Sequence, residues 1–554
     1  GQSITSFPFS GVFWSEFDIP LTWIERIEII RGQHGSVWGS NNVNGIVNII
    51  LKSPEVNYHK QGSTSGQVTF GFLSDKPRVD LVSNHLINTT NITLLGNVSA
   101  YRDSEDTEHP SAETDDDSNS SKFGIIASKE SGDWRFSTNL FRFDSSKDRT
   151  VILYYPFVDN GVYKGSGDFG ATLFAVNAER NLGWGRLELS YDIAKTENNF
   201  SFVRVDDLTQ NLGAKLVYEI TEDLRLTVGG SYRHVDEDNH NSEAFAFMPT
   251  KRIFTVRRVF SQLEQEFFDD KGIGIFSLAL ERNSFTGSNL PYNARFGYSI
   301  TDSVFSWISV GKAYRLPSRI ERDMVYAFRL FDVGDDIRIP GVLYGNDRVL
   351  DESAVGVELG SRFHVAHSTL IDITLFKYWY DNLVTFSPRS ELTWEPLYES
   401  LVIPIDLENN ATSTAYGGEA MVKWFADDLF RFEAGYAFLF AKSELSDDHK
   451  DDILFVEPEL RAPKHSLVFR PVISYGEITV DSVVRYWSPN LFNPEGPLWT
   501  LDVGVTYDFT EQDSVKVVAR NLVKTNDFEA KSFAGYTVAK DVPREIGIYY
   551  TRRF

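Results

Sequence analysis

The stretch FRFEAGYAFLF, Phe430–Phe440, alternates between two kinds of side chain. Its even positions are aromatic or, once, alanine, whereas its first odd positions carry Arg431, Glu433 and a glycine. Successive side chains of a β-strand point to opposite faces of the sheet. The stretch therefore predicts a strand with one apolar and one polar face, which suits a wall between lipid and a water-filled lumen.

The same period of two recurs in Arg186–Ile193, Glu477–Tyr486 and Leu501–Phe509. Segments of about ten residues continue from about residue 66 to the end, with no helical pattern between them. A soluble β-sandwich also alternates, but it would have to seal a buried face over hundreds of residues. Because backbone groups in lipid are satisfied only in helices or closed barrels, we predict an all-β transmembrane barrel.

The connections between these segments fall into two classes, which orient the barrel and suggest its size. Roughly 490 residues at two strands per hairpin give about 20 to 24 strands, and we predict a 22-stranded antiparallel barrel with short turns on the periplasmic side. So wide a barrel needs a plug. The tight connections are Ser131–Asp133, Thr221–Asp223, Ala426–Asp428 and Thr510–Asp513; the long ones are about 103–120, 145–167, 234–257, 322–350, 386–414 and 441–460.

Composition excludes several classes of protein. The 554 residues include 42 Phe, 24 Tyr and 11 Trp but no Cys, which excludes a disulfide scaffold, thiol catalysis and cysteine-ligated zinc. A net charge of −24 argues against nucleic-acid binding. The sequence has no apolar run long enough for a spanning helix. We also find no signal peptide at its start. Without HExxH, GxSxG or Walker sequences, we expect no enzyme, no cofactor and no metal site.

The first 55 residues have a different texture from the rest. Ile24–Gly32 predicts a strand that ends at glycine, and Gly35–Ile50 is rich in small residues and asparagine. This pattern predicts a compact unit packed inside the barrel.

The run IERIEIIRGQHGSVWGSNNVNGIVNIILKSPE, Ile24–Glu55, closely resembles the end of the plug domain of TonB-dependent outer-membrane receptors. Gln33 stands where the family usually has Pro, and Asn44 where it often has Gly. The matching positions are Glu25, Arg26, Glu28, Arg31, Gly32, Gly39, Gly45 and Asn48.

Further resemblances follow in family order through most of the chain. The C terminus also resembles the family's last strand, with apolar residues alternating up to Phe554, although Arg552 stands where an aromatic is usual. The matching stretches are Gly311–Arg322, Glu352–Phe363, Thr414–Phe425, Arg461–Arg470 and Ala519–Ala530.

The resemblance implies that residues 1–55 are the last part of a plug and residues 56–554 the barrel. The family's plug start, TonB box and signal peptide are not in this sequence, which we interpret as a truncated record, with a degraded receptor as the alternative. The implied function is energised uptake through the outer membrane, driven by the TonB–ExbB–ExbD complex. The expected cargo is a ferric siderophore, and we expect a monomer surrounded by outer-membrane lipid and lipopolysaccharide.

Other cargoes and roles stay open at this stage. Heme receptors of the family carry FRAP and NPNL motifs around a histidine, but the corresponding Tyr314–Pro317 and Gly345–Arg348 have no histidine between them. Cobalamin, copper and oligosaccharides are further alternatives. A passive channel or a surface protein left by loss of the plug is the alternative of a different class.

Ligand contacts are expected where arginine and aromatic residues cluster at the top of a predicted strand. Guanidinium groups suit carboxylates, catecholates and phosphates, so an anionic metal chelate would fit. The alternative is contact with lipopolysaccharide phosphates or with the plug, and a second cluster at 245–258 has an ordinary loop as its alternative. The candidate ligand residues are Arg315, Arg319, Arg322, Tyr314, Tyr326 and Phe328, with Arg329 and Tyr344 beside them.

Two sets of charged residues complete the sequence predictions. Glu25, Arg26, Glu28 and Arg31 alternate with isoleucines, and the resemblance implies that they contact the barrel wall. The acidic runs lack the glycine spacing of an EF-hand, so we expect solvated loop surface, with calcium bridging as the alternative. These runs are Glu113–Asp117, Asp236–Asp238 and Asp447–Asp452.

Overall fold

The computed structural model describes residues 2–33, 35–52, 64–73, 76–101, 117–152, 162–200, 202–332, 337–366, 368–425, 427–446, 462–490, 496–523 and 544–554. Within these ranges, 22 strands close into an antiparallel barrel in which neighbours along the chain pair and the last strand pairs with the first. The predicted fold is confirmed. No helix in the same ranges is long and apolar enough to cross a bilayer.

The barrel comprises β3 to β29 without five short strands, β12, β15, β18, β19 and β22, which lie in connections between barrel strands. The elements in chain order are α1 (Trp14–Phe17), a 3₁₀ turn (Leu21–Trp23), β1 (Ile24–Arg31), α2 (Gly35–Trp38), β2 (Gly45–Leu51), β3 (Thr64–Leu73), β4 (Lys76–Ile87), β5 (Thr90–Tyr101), β6 (Ser118–Ser131), β7 (Trp134–Ile152), β8 (Val162–Asn181), β9 (Gly185–Asn199), β10 (Arg204–Glu219), β11 (Leu224–His240), β12 (Phe245–Phe247), β13 (Lys251–Phe267), β14 (Gly272–Asn283), β15 (Gly287–Asn289), β16 (Tyr292–Thr301), β17 (Val304–Arg315), α3 (Arg319–Asp323), β18 (Met324–Asp332), β19 (Arg338–Tyr344), β20 (Glu352–Val365), β21 (Thr369–Pro388), β22 (Thr393–Glu395), β23 (Ser400–Phe425), β24 (Phe430–Leu445), β25 (His465–Tyr475), β26 (Ile478–Trp487), β27 (Leu498–Asp508), β28 (Asp513–Arg520) and β29 (Glu545–Arg553).

The N-terminal unit has a small sheet of its own. β1 and β2 pair antiparallel, from Ile24 opposite Leu51 to Arg31 opposite Gly45. We call residues 2–52 the plug. β2 ends at Leu51 and β3 begins at Thr64, so the boundary predicted between residues 55 and 56 lies outside the described residues.

The C-terminal strand closes the barrel against the first barrel strand. β29 pairs with β3, from Gly547 opposite Leu73 to Arg553 opposite Gln67. Phe554 continues this ladder, because its N–H donates to the Gly66 carbonyl at 2.9 Å and its carbonyl accepts from the Gly66 N–H at 2.7 Å. The terminal phenylalanine is therefore part of the seam that removes the last free sheet edges.

A plug contact identifies which face of β24 is the lumen face. Arg31 of the plug forms an ion pair with Glu419 of β23, so Glu419 points inward. Glu419 lies opposite Ala437 of β24, and residues directly opposite each other share a face. Arg431 and Glu433 are an even number of residues from Ala437 and therefore also face the lumen.

The opposite face of β24 lies against the lipid. Tyr436 lies on the lipid face and is 44% exposed. We expect Tyr436→Arg to destabilise the barrel by about 2–4 kcal/mol, because a cation in mid-membrane is costly on the lipid face. The free energy of unfolding in detergent and the yield in the outer membrane both measure this. Glu433→Gln is the lumen-face control; an unchanged Tyr436→Arg protein would show that the assigned face is wrong.

Some barrel strands are much longer than the bilayer requires, and the extra length lies on the extracellular side. β23 has 26 residues and β8 has 20, whereas β28 has 8. About 9–11 residues cross a bilayer, so the longer strands project beyond it. Tight turns such as the one between Ser131 and Trp134 lie at the other end, which is the periplasmic side in outer-membrane barrels. The surplus length therefore extends outside the cell.

An additional sheet covers the extracellular mouth. β12 pairs with β18, β18 with β19, and β19 runs parallel to the upper part of β23. Because β12 comes from the β11–β13 connection, this sheet joins separate parts of the rim. The Tyr398 hydroxyl fastens it by accepting from the Ala327 N–H at 2.9 Å and donating to the Ala244 carbonyl at 3.0 Å. We call α3, β12, β18 and β19 together the lid.

Candidate functional site

The plug contacts barrel strands on widely separated sides of the lumen. On one side Asp18 forms an ion pair with Lys122 of β6 at 2.9 Å, and Glu16 accepts from the Ser145 hydroxyl of β7 at 3.1 Å. On another side Ser36 of α2 lies 2.7 Å from Ser277 of β14, oxygen to oxygen. Contacts on these separated sides place the plug inside the barrel.

The loop after β1 fits closely against the wall because glycines leave room on both partners. Gly32 has a φ of +85°, and a Cβ there would overlap the carboxylate of Glu358. Opposite it, Gly356 leaves space for the side chain of Gln33. The backbone carbonyl of Gln33 accepts from Asn293 Nδ2 at 3.3 Å. The loop therefore lies close to β16 and β20, and any side chain larger than glycine at positions 32 or 356 would prevent this close approach.

The four plug residues predicted to contact the wall have different surroundings. Arg31 forms its ion pair with Glu419. Arg26 Nε donates to Glu28 Oε1 at 2.7 Å inside β1. This hydrogen bond, and to a smaller extent one from Asn48, lowers the pKa of Glu28. Glu25 is exposed. The charged strand thus reaches the wall at its end, where the plug loop begins.

Sequence reasoning missed most of the polar plug contacts on this side, which come from the loop instead of the charged strand. Ser40 bonds to Glu281 through its backbone N–H at 3.2 Å, and Tyr380 donates to Asn44 Oδ1 at 2.8 Å. The signal that could have found them was the small, asparagine-rich composition of Gly35–Ile50.

The tip of this loop is hydrogen-bonded to the strand end that leads into the lid. The Asn41 N–H donates to the Tyr314 carbonyl at 2.8 Å, and Asn41 Oδ1 accepts from the Leu316 N–H at 2.9 Å. Asn41 has a φ of +69°, a left-handed conformation that asparagine tolerates better than most residues. A second plug segment joins the same region, because the Pro8 carbonyl accepts from the Ile320 N–H of α3 at 3.1 Å.

The sequence around α3 explains why a helix starts there. Pro317 precedes the N-cap residue Ser318, whose hydroxyl accepts from the Glu321 N–H at 3.3 Å. Glu321 Oε2 accepts in return from the Ser318 N–H at 2.7 Å. This reciprocal capping box fixes the first turn of α3 directly above the plug.

Of the three arginines predicted to bind ligand, Arg319 and Arg322 lie in α3 and Arg315 ends β17, and all three bond to groups of the protein itself. Arg315 donates to Glu352 at 2.6 Å and to Glu321 at 2.6 Å. Arg319 is 0% exposed and donates through Nη1 to Glu237 at 2.7 Å.

The third arginine, Arg322, donates to the Val349 carbonyl at 3.1 Å and lies 4.7 Å from the ring centre of Phe285. Burial lowers the pKa of Arg322, and the nearby Asp323 opposes that effect. The side chain of Arg329 lies outside the described residues.

A second guanidinium–carboxylate contact anchors α3 to the rim. Asp323 forms an ion pair with Arg319 at 2.5 Å and another with Arg252 at the start of β13. The cluster at 245–258 predicted from the sequence therefore meets the first cluster, and both hold the lid to the wall.

The aromatic candidates differ in exposure. Tyr326 is fully buried, with its ring centre 5.6 Å from that of Phe245. Phe328 is partly buried against the same apolar cluster. Tyr314 is partly buried at the top of β17, with Lys312 Nζ 5.1 Å from its ring centre. The lid thus has an aromatic core of its own, and ligand contact by these residues stays a prediction.

Part of the lumen on the β7–β13 side is open. A cavity of about 360 Å³ is lined there by charged and small residues. Arg258, which bonds to the Ser36 carbonyl of the plug, forms its border. Across it Lys215 pairs with Glu188 at 2.6 Å, so the cavity has a polar, hydratable wall.

A plugged barrel of this size, with short turns at one end and a lid at the other, defines a class of large outer-membrane receptors and transporters. Residues 57–535 match the family described as TonB dependent receptor-like, beta-barrel, and the chain belongs to that family. Members of this family are receptors and transporters, which agrees with the expectation of no enzyme. A barrel of this family implies the outer membrane as its location.

Solved structures share the fold at low sequence identity. The siderophore receptor PirA from Pseudomonas aeruginosa is 15% identical with a TM-score of 0.72, over 97% of this chain and 88% of that chain. The ferric enterobactin receptor PfeA from the same organism, as a mutant in complex with enterobactin, is 15% identical with a TM-score of 0.76, over 99% and 89%. The iron transporter FrpB from Neisseria meningitidis is 11% identical with a TM-score of 0.75, over 96% and 88%. Comparison with curated protein sequences gives no match.

Proposed function

We propose that the protein is a receptor for energised uptake of a ferric siderophore through the outer membrane. The observation that carries the proposal is the direct bonding of Asn41 and Pro8 of the plug to the segment Tyr314–Ile320. This segment leads into the lid, so a change in the lid on cargo binding would reach the plug. Force from the TonB–ExbB–ExbD complex would then move the plug from the periplasmic side.

The choice of cargo rests on two supports. The similar structures include receptors named for siderophores and for ferric enterobactin. The arginines in and before α3 suit an iron chelate that carries carboxylate or catecholate oxygens. Heme is disfavoured because no histidine lies between Tyr314–Pro317 and Gly345–Arg348.

The candidate ligand residues would act when the lid rearranges. Arg315 is the arginine best suited to this, because its side chain is 26% exposed whereas that of Arg319 is 0% exposed. A catecholate or carboxylate of the cargo would take the place of Glu321 or Glu352 on the Arg315 guanidinium. We further propose that the receptor acts as a monomer, with lipopolysaccharide around its extracellular rim.

Binding measurements on the purified full chain test the cargo. Ferric siderophores, heme and cobalamin are titrated in turn while tryptophan fluorescence is followed. We expect a ferric siderophore to bind, and Arg315→Ala to weaken that binding by about tenfold, because a hydrogen bond to a charged group contributes about 1.5–3 kcal/mol.

Arg204→Ala is the matched control, since Arg204 is an exposed rim arginine that pairs with Asp206 at 3.0 Å. Its affinity for the chelate should equal that of the unmodified protein. Tight binding of cobalamin or heme without any ferric chelate would overturn the cargo. Passive entry of the chelate into cells that lack TonB would instead favour a channel.

A further inference from the structure

The acidic run Asp236–Asp238 differs from the solvated surface predicted from the sequence. Asp236 is exposed, but Glu237 is 0% exposed. The reason is the alternation of β11, which turns every second side chain inward. The extracellular end of β11 thus buries a carboxylate between the wall and the lid.

Two oxygen atoms at this place lack a hydrogen-bond donor among the described residues. Glu237 Oε1 accepts from Arg319 at 2.7 Å and from Asn239 Nδ2, but Glu237 Oε2 has no partner. Asn239 is 3% exposed, and its Oδ1 has none either. A buried polar atom without a partner costs about 1–3 kcal/mol, more if charged.

A second carboxylate lies beside Glu237 on the same face. Asp207 of β10 is directly opposite Glu237, which puts their Cβ atoms about 4.5–5.5 Å apart. Thr196 of β9 lies opposite Asp207 in turn and donates to its carboxylate. Oxygen-bearing side chains from three adjacent strands therefore lie side by side on the inner wall.

One carboxylate at this point has no ion pair. Asp323 pairs with Arg319 and Arg252, and Glu237 pairs with Arg319. Asp207 forms no ion pair with any described residue, so its negative charge is not neutralised. Water could satisfy the free oxygens but would not neutralise this charge. A cation would do both, and oxygen-only donors suit a hard cation such as Ca²⁺.

We propose that Glu237, Asp207 and Asn239 form a Ca²⁺ site at the extracellular end of β10 and β11. Glu237 Oε2, the Asp207 carboxylate and Asn239 Oδ1 supply protein ligands, and water completes the six to eight oxygens that Ca²⁺ takes. Glu237 also holds Arg319 of α3, so the ion fastens the lid to the wall. The site is independent of the cargo.

Calcium binding by the full chain in detergent tests the proposal. Protein freed of divalent ions with a chelator is titrated with CaCl₂ by calorimetry and melted with and without about 5 mM Ca²⁺, because extracellular sites bind with a Kd of about 10⁻⁴–10⁻³ M. We expect a higher melting temperature with Ca²⁺. Glu237→Gln and Asp207→Asn should each weaken Ca²⁺ binding by about tenfold or more, since ligand charge sets the affinity.

A periplasmic acidic cluster provides the control for nonspecific binding. Asp223, Glu266 and Asp270 lie close together at the other end of the barrel. Asp270→Asn should leave the calcium-dependent melting shift unchanged, and loss of the shift in that variant would overturn the proposal. Equal Ca²⁺ affinity in Glu237→Gln and the unmodified protein would also overturn it.

The competing occupant, a proton on Glu237, has its own signature. If the melting temperature does not change with Ca²⁺ but falls as the pH is raised from about 6 to 8, a proton stabilises the buried carboxylate. That result would overturn the calcium site. If Glu237→Gln does not fold, the more conservative Asp207→Asn keeps the test decisive, because Asp207 has no ion pair with Arg319 to lose.

Discussion

The double variant Ser36→Cys/Ser277→Cys should lose energised uptake when it is oxidised and regain it when it is reduced. Ser36 of the plug and Ser277 of the wall are buried with their hydroxyl oxygens 2.7 Å apart, so two cysteine sulfurs here would need to approach by less than about 1 Å to reach the bond length of about 2.05 Å. The chain has no other cysteine, so the bond can form only there. A plug tied to β14 could not leave this part of the wall.

Uptake of the labelled cargo and its binding must be measured separately in this variant. Binding should persist in the oxidised form, because the engineered disulfide lies below the lid. Uptake should fall to background. The single variants Ser36→Cys and Ser277→Cys are the controls, since neither can close the bond. Full uptake by protein whose crosslink is shown to be oxidised would mean that cargo passes by another route. The cavity beside Arg258 and Lys215 is the open side of the lumen where such a route would lie.

The barrel could be predicted because its determinant is local. Alternation within Phe430–Phe440 depends only on neighbouring residues, and a wall between lipid and water imposes it on strand after strand. The start of α3 is local in the same way, since Ser318 and Glu321 form a capping box three positions apart, directly after Pro317. Features that depend on one strand and its own turn can be inferred from sequence.

The lid could not be predicted, because its contacts join distant segments. Arg319 meets Glu237 across 82 positions and Asn41 meets Leu316 across 275. Nothing near Arg319 in the sequence distinguishes a buried, paired guanidinium from an exposed one that waits for an anion. Alternation alone could have indicated that Glu237 points inward, but not that the lid covers it.

Removing the Arg319 side chain should produce the largest loss of lid stability. Arg319→Ala leaves Glu237 unpaired in a buried site and takes one partner from Asp323. Breaking such a pair from one side costs about 3–5 kcal/mol. At 1.4 kcal/mol per factor of ten, lid opening should become about two to three and a half orders of magnitude more frequent.

Hydrogen exchange in the intact protein measures this opening directly. The amides of Met248 and Gly345 report it, because they donate to the Asp323 and Met324 carbonyls at 2.8 Å and 2.6 Å.

Controls separate this bracing role from a ligand contact. Arg204→Ala removes an exposed rim arginine and should leave lid exchange within about 0.5 kcal/mol of the unmodified protein. In protein freed of divalent ions, Arg319→Leu combined with Glu237→Leu should recover much of the loss, because replacing both members of a buried pair by apolar groups is often neutral. If Arg319→Ala keeps normal exchange in the ligand-free protein and loses only cargo affinity, the guanidinium serves the ligand instead of the lid. If Arg319→Ala raises exchange in the ligand-free protein, any weaker cargo binding is a consequence of the more open lid.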